Sequence, residues 1–132
     1  GGAGGGLTTP PAEPTSPQGA EEFPGPVVQA AELALERKAE GVVALDLRGI
    51  SSATDFFVMA TGNSDTQVRA IAEHVMEELK KVDLRPLHVE GLDRARWVLM
   101  DFVDFVVHVM HPRAREFYQL ELLWGDAPTQ EF

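Results

Sequence analysis

The chain has 132 residues, 44% of them hydrophobic, which predicts a single domain with a real core. Its apolar runs are far shorter than the ~20 residues of a membrane-spanning helix, and the absence of cysteine excludes disulfides and thiolate metal sites. The formal net charge of −10 favours a protein partner over nucleic acid, since nucleic-acid binders normally present a basic face, and only a local basic patch would defeat this average. We therefore expect a soluble protein with a protein partner and no direct nucleic-acid site.

Composition divides the chain into three parts. Residues 1–26 are rich in glycine and proline and cannot bury enough apolar surface to offset the entropy lost on ordering. We interpret them as a disordered tail, either native or left over from cloning. Residues 27–126 are expected to form one folded domain, and residues 127–132 a flexible C-terminal tail.

The first predicted elements are a helix and two strands. The helix begins near Pro26 and has an apolar stripe at Val28, Ala31 and Leu35, and Gly41 is the expected C-cap. Residues 42–47 are rich in aliphatic side chains and predict a strand. Residues 55–61 predict a second strand, apolar on both faces and therefore buried inside a sheet covered by helices.

A second helix is predicted after this strand. Ser64 and Gln67 have the spacing of a capping box at a helix start. Apolar residues then recur at helical spacing on one stripe, which consists of Val68, Ile71, Ala72, Val75, Leu79 and Val82. Residues 86–90 predict a third strand, and its link to the second through a helix suggests a βαβ crossover.

The last predicted elements are a hairpin and a closing helix. The hairpin joins residues 96–102 to residues 105–110 through a four-residue turn around Val103 and Asp104. The helix begins at Pro112 or Arg113 and ends at Gly125. The elements together predict an α/β fold, in which a mixed sheet of about five strands is flanked by helices.

Symmetric pairing in this hairpin separates two different faces. One face is purely apolar and is expected in the core; it carries Val98, Met100, Phe102, Val107 and Val109. The other combines an indole, aliphatic side chains and polar groups, and it carries Trp97, Leu99, Asp101, Val106, His108 and Met110. Its composition fits a contact surface, since tryptophan is enriched among interface hot spots. The alternative is that the closing helix covers Trp97.

The spacing of polar residues favours a binding protein over an enzyme. His108 and His111 are three apart in a strand and project to opposite faces, which is poor geometry for a shared metal. Asp101 and Asp104 have the same spacing, whereas two-metal catalysis needs carboxylates on one face. Asp46 has only inert neighbours. We therefore predict no catalytic residues, no metal and no cofactor.

Several stretches in this order are similar to the Iojap/RsfS family of ribosomal silencing factors. The resemblance covers residues 27–126. It rests on Asp55-Phe56-Phe57-Val58, Ala60-Thr61-Gly62, Gln67-Val68-Arg69-Ala70-Ile71, Glu90-Gly91, Trp97-Val98-Leu99-Met100-Asp101-Phe102, Asp104, Val107-His108-Val109, Arg115-Glu116-Phe117-Tyr118-Gln119-Leu120-Glu121 and Leu123-Trp124-Gly125-Asp126. One position departs from the family: Val103 stands where the family usually has glycine.

The resemblance implies a fold like that of nucleotidyltransferases without their catalytic carboxylates. It also implies a cytoplasmic protein that binds large-subunit ribosomal protein fourteen, blocks subunit joining sterically and lowers translation when nutrients are scarce. The implied partner-binding residues are Glu90, Trp97, Leu99 and Asp101, with Arg115 and Tyr118 as further candidates. Arg115 has an alternative role as scaffolding, through an ion pair with Glu90 or Asp101.

Two other functions remain open at this point. The chain is alternatively an assembly factor for the large ribosomal subunit, which needs the same contact, or a nucleotidyltransferase-like enzyme. The free protein is also a candidate homodimer, because an apolar partner face left empty tends to pair with itself.

Overall fold

The computed structural model contains both helices and strands; it describes residues 23–118 and 127–132, with side chains for 23–115 and 127–132. In chain order the elements are α1 (Gly25–Glu36), β1 (Glu40–Asp46), β2 (Phe56–Thr61), α2 (Asp65–Lys80), β3 (His88–Glu90), β4 (Trp97–Asp101), β5 (Phe105–Met110), α3 (Pro112–Tyr118) and β6 (Thr129–Glu131). Within those residues, no helix has the length and apolar character needed to cross a membrane.

The strands form one mixed sheet with the order β3-β4-β5-β2-β1-β6. The central strands β2 and β5 run parallel, and every other neighbouring pair is antiparallel. This confirms the predicted mixed α/β fold. The helix α2 connects β2 to β3, and two strands lie between them in the sheet.

The sixth strand corrects the expectation of a flexible tail over residues 127–132. Thr129 and Glu131 pair with Leu45 and Val43 of β1, and Ala127 is buried. The strand was missed because Thr-Gln-Glu carries no apolar alternation. Its stability comes from backbone hydrogen bonds to a distant strand, such as that from Phe132 N to the Val42 carbonyl.

The start of the fold also differs from the expected boundary at residue 27. Phe23 is buried, with its ring centroid 5.6 Å from that of Phe56, so residues 23–26 belong to the domain. The helix α1 buries Val27, Leu33 and three alanines, whereas Leu35 of the expected stripe is 40% exposed. It ends at Glu36 and not at Gly41, since Lys38 already takes a positive φ of 65°.

The predicted capping box at the start of α2 is confirmed. The Ser64 hydroxyl accepts from Gln67 N at 3.0 Å, and the Gln67 side-chain oxygen accepts from Asn63 N at 2.7 Å. The Gln67 amide also donates to the Arg37 and Lys38 carbonyls, which ties α2 to the end of α1. The stripe from Val68 to Leu79 is buried, but Val82 lies beyond the helix and is 53% exposed.

The two faces of the sheet have separate cores. α1 and α2 cover one face, where the buried residues include Val58, Val98, Met100, Val107 and Val109. The other face has a smaller core built on Leu45, Leu47, Met59, Met110 and Ala127. Trp97 and Ala114 pack against this smaller core while remaining partly exposed. The face that was predicted to be apolar is therefore the helix-covered one.

The hairpin of β4 and β5 has the predicted symmetric register. Trp97 pairs with Met110, Leu99 with His108, and Asp101 with Val106. Between the last pair, Phe102 N donates to the Phe105 carbonyl at 2.9 Å, and the two rings stack with centroids 4.8 Å apart. Residues 102–105 therefore form the four-residue turn.

Replacing Val103 with glycine is expected to stabilise the protein by about 1 kcal/mol. Val103 has a φ of 76° and is 57% exposed, so a β-branched residue bears left-handed strain there without a compensating core contact. Glycine removes the strain at a smaller cost in chain entropy. Urea unfolding measures the change. Val103→Ala, which keeps a Cβ at the same φ, is the control, and an equal gain from both variants would contradict the explanation.

Candidate functional site

The predicted contact residues of β4 lie side by side on the face opposite α1 and α2. Trp97, Leu99 and Asp101 are each partly buried, so they are neither core residues nor fully exposed. Glu90, on the edge strand β3, pairs with Leu99 and has a side chain that is 65% exposed. The structure therefore brings these four residues together on one surface, which we call the β4 face: Glu90, Trp97, Leu99 and Asp101.

A buried histidine orients the indole of Trp97. Trp97 Nε1 donates to His108 Nδ1 at 3.0 Å, and the two ring centroids are 5.9 Å apart. His108 lies on β5, is only 3% exposed, and meets the Phe57 ring edge-on with centroids 4.5 Å apart. Because the imidazole is held by packing, the hydrogen bond fixes the plane and direction of a half-buried indole.

Burial lowers the pKa of His108 from the ordinary value of 6.5 to about 4. The imidazole is therefore neutral near pH 7, and since Nδ1 accepts from the indole, the ring proton lies on Nε2. Nε2 is buried and has no hydrogen-bond partner among the described residues. A protonated ring would have to give up the bond from Trp97, so acid weakens the arrangement that orients the indole.

The stability of the protein is expected to fall by about 3 kcal/mol as the pH drops from about 6.5 towards 4, through His108 alone. The unfolded chain takes up a proton at the ordinary pKa, while the folded chain resists it because burial lowers the pKa to about 4. The stabilisation is thus complete above pH ~6.5 and is lost on acidification. Chemical unfolding at a series of pH values measures this.

The matched control for this pH dependence is the removal of a different histidine. His108→Gln should flatten the pH dependence of the unfolding free energy across this range, whereas His88→Gln removes an exposed imidazole on β3. If wild type and His108→Gln showed parallel curves, His108 would not be the group responsible.

Asp101 has a structural role in addition to its place on the β4 face. One carboxylate oxygen accepts from Val103 N at 2.8 Å, which caps the turn after β4. On the neighbouring strand β3, the Glu90 carboxylate lies 2.5 Å from His88 Nε2. Both carboxylates are accessible to a partner, but only that of Asp101 also stabilises the hairpin.

Arg115 lies elsewhere. Its guanidinium donates to the Gly41 carbonyl at 2.6 Å and to the Thr61 hydroxyl at 2.8 Å, on the β1–β2 side of the sheet. The alternative ion pair with Glu90 or Asp101 is therefore wrong, and Arg115 ties α3 to the sheet. Tyr118 ends α3, and its side chain lies outside the described residues, as does the expected continuation of the closing helix over residues 119–126.

The loop between β3 and β4 forms a recess of about 490 Å³ beside Trp97. Gly91 begins this loop with a φ of 83°, and a Cβ there would lie 2.1 Å from the Trp97 carbonyl oxygen. From α2, the Arg69 guanidinium donates to the Leu92 and Asp93 carbonyls at 3.3 and 2.7 Å. The loop that flanks the indole is therefore held by a glycine that permits close approach and by an arginine of α2.

Asp46 lies far from Asp101, with which it was considered for metal catalysis. Asp46 projects to the helix-covered face opposite Phe56, whereas Asp101 projects to the other face, and two strands separate β1 from β4, roughly 14 Å. Arg48 binds both oxygens of Asp46, and this hydrogen bonding holds the pKa of the carboxyl below its usual range. Among the described residues, no group of three potential ligands has the geometry to hold a metal.

Sequence reasoning missed three residues that shape this site. The bond between His108 and Trp97 was detectable, because the predicted register makes the two residues diagonal neighbours across the strand pair. Gly91 stood within a stretch shared with the family, but its contact with the Trp97 carbonyl depends on the path of the loop. Arg69 also stood within a stretch shared with the family, but its partners are backbone carbonyls distant in sequence, which the stretch does not reveal.

Comparisons of sequence and structure with known proteins point to one family. The family described as "Ribosomal silencing factor during starvation" matches residues 20–132. The Bacillus subtilis protein named ribosomal silencing factor RsfS is 46% identical over 96 residues, which cover 73% of this chain and 81% of that protein. A crystal structure of a Chromobacterium violaceum protein superposes with a TM-score of 0.72 at 36% identity, covering 75% of this chain and 83% of that one. The mouse protein named mitochondrial assembly of ribosomal large subunit protein 1 is 35% identical over 74 residues, 54% of this chain and 32% of its own length.

Proposed function

This chain belongs to the RsfS family of ribosomal silencing factors, and from that premise we propose that it binds the large ribosomal subunit and prevents the small subunit from joining. It binds there to large-subunit ribosomal protein fourteen, which we call its landing site. The protein lowers translation when nutrients are limiting, in keeping with the starvation response in the description of the family.

The observation that carries this proposal is the setting of Trp97. The indole is half-buried and oriented by His108, and Leu99 and Asp101 lie beside it on the same strand. Rigid aromatic side chains flanked by partly exposed aliphatic and polar groups are typical of interface hot spots. The overall acidity of the chain supports a basic protein as the partner, since opposite charges accelerate encounter.

The mechanism requires only that the protein occupies its binding site on the large subunit. A folded body on the subunit-joining face of the large subunit excludes the small subunit sterically, and no bond is made or broken. Inhibition therefore follows mass action and rises with the concentration of free factor relative to its dissociation constant. The separation of Asp46 from Asp101 supports a role without nucleotidyl transfer. A thermal-shift screen with Mg²⁺ and nucleotides tests this, because a metal-dependent rise in Tm would indicate an enzyme.

A gradient profile of purified ribosomal subunits, with and without the protein, tests the proposal directly. We expect the peak of joined ribosomes to diminish and the protein to sediment with the large subunit. Normal joining in the presence of saturating protein would contradict steric silencing. Sedimentation with the small subunit would contradict the landing site.

A role in assembly of the large subunit is the second candidate, favoured by the name of the mouse relative. The two roles require the same contact but differ in the state of the subunit that is bound. Comparing the affinity for mature and precursor large subunits separates them. A strong preference for precursors would favour assembly, and equal affinity together with blocked joining would favour silencing.

We also propose that the free protein forms a homodimer through the β4 face and works in the cytoplasm, where bacterial ribosomes are. Trp97 and Leu99 are partly exposed there, and pairing with a second copy would bury them until a ribosome is available. Analytical ultracentrifugation tests the dimer. A strict monomer at high micromolar concentration would contradict it.

A further inference from the structure

Four of the chain's arginines lie around the β3–β4 loop, beside Trp97. Arg94 and Arg96 are exposed and line the recess there. Arg113, also exposed, begins α3 next to His111, whose backbone N–H donates to the Arg96 carbonyl at 2.8 Å. Arg69 reaches the loop from α2. A cationic surface therefore adjoins the β4 face; we call Arg94, Arg96 and Arg113 the arginine edge.

Among the described residues, no ion pair neutralises the charge of the arginine edge. Where side chains are described, the ion pairs involve other cations, and neither Arg94, Arg96 nor Arg113 contacts a carboxylate. Arg69 donates to carbonyl oxygens, so it adds a fourth positive charge. Asp93 is the acidic residue in the lining of the recess, which leaves a local excess of positive charge in a chain of net charge −10.

We propose that the arginine edge binds the phosphate backbone of ribosomal RNA next to the landing site of the β4 face. This inference rests on the proposed function and revises the expectation, drawn from overall acidity, that the chain has no direct nucleic-acid site. An acidic protein is repelled by RNA phosphates unless it presents a cationic edge to them. Guanidinium groups suit this task, because their planar donors bind phosphate oxygens in pairs.

The position of the arginine edge favours RNA over an acidic segment of the protein partner. The β4 face, which we assign to the protein contact, carries the carboxylates of Glu90 and Asp101 and suits a basic protein. The arginine edge has the opposite charge and lies at the end of β4 that begins with Trp97. Two adjacent surfaces of opposite sign match a basic ribosomal protein and the RNA that surrounds it.

The test compares R94Q/R96Q/R113Q with the matched variant K80Q/K81Q/R85Q, which removes three exposed cations near the C-terminal end of α2. Affinity for purified large subunits is measured at several salt concentrations. If wild type makes three phosphate contacts, its affinity should fall about 30-fold as the salt concentration rises from about 50 to 200 mM. The affinity of R94Q/R96Q/R113Q should change much less over the same range. The matched variant should retain the wild-type salt dependence.

A second measurement uses isolated ribosomal protein fourteen without RNA. R94Q/R96Q/R113Q should bind it as wild type does, while binding intact subunits more weakly. Equal weakening on the isolated protein would overturn the proposal, because the arginines would then contact protein. The same holds if the two triple variants behave alike on subunits. A third result would separate the two proposals: wild type binds subunits with the arginine-dependent salt effect but does not bind isolated ribosomal protein fourteen. The assignment of ribosomal protein fourteen as the landing site would then be wrong, while the proposed RNA contact of the arginine edge would be supported.

Discussion

Replacing Gly91 with alanine is expected to destabilise the protein by about 3 kcal/mol. The residue has a φ of 83°, where any Cβ is strained, and here the Cβ would also lie 2.1 Å from the Trp97 carbonyl oxygen. That atom belongs to the backbone of β4, so the strand or the loop must move. The displacement should reach the indole and reduce binding to the large subunit as well.

Gly49→Ala separates the two causes. Gly49 has a nearly equal φ of 79°, but a Cβ there would meet no atom within 4 Å. This variant should therefore lose only the left-handed strain energy, about 1 kcal/mol. Guanidinium unfolding of both variants gives the difference. Equal midpoints would mean that the contact between Gly91 and β4 does not constrain the fold.

Trp97→Ala is expected to weaken binding to the large subunit about 30-fold, equivalent to about 2 kcal/mol, while the domain still folds. The change removes the largest side chain of the β4 face and leaves His108 Nδ1 without its donor. Trp97→Phe keeps an aromatic ring but loses the N–H, so its effect should be intermediate. Co-sedimentation with purified subunits over a range of concentrations measures the affinity.

The control for Trp97 is another partly exposed apolar residue far from β4. Ile50 follows β1 and is 48% exposed, so Ile50→Ala should bind as wild type does. Circular dichroism establishes that each variant is folded at the temperature of the assay. Unchanged co-sedimentation of folded Trp97→Ala would remove the β4 face as the contact surface.

Local patterns predicted most of the fold because local physics determines it. The capping box of Ser64 and Gln67 and the symmetric register of β4 with β5 depend on residues close in sequence. The strand β6 depends on pairing with β1, more than 80 residues away, and its own side chains give no strand pattern. Such a strand is visible only when the rest of the sheet is in place.

The sequence predicted which residues of β4 form the candidate site, but not the contacts that hold them in place. Alternation along β4 placed Trp97, Leu99 and Asp101 on one face, as observed. Arg115 was misplaced because its partners, Gly41 and Thr61, come together only through the order of the sheet. The cationic character beside Trp97 was hidden by the net charge, since an average over the chain carries no information about position.

Both outer strands of the sheet, β3 and β6, are three residues long. Strands this short offer a visiting peptide too few backbone donors and acceptors to extend the sheet, and the exposed polar side chains of His88 and Glu90 on β3 discourage it further. A partner must then be recognised through side chains and shape. Evolution can retune such recognition one substitution at a time, so specificity for a given ribosome can change while the architecture stays fixed.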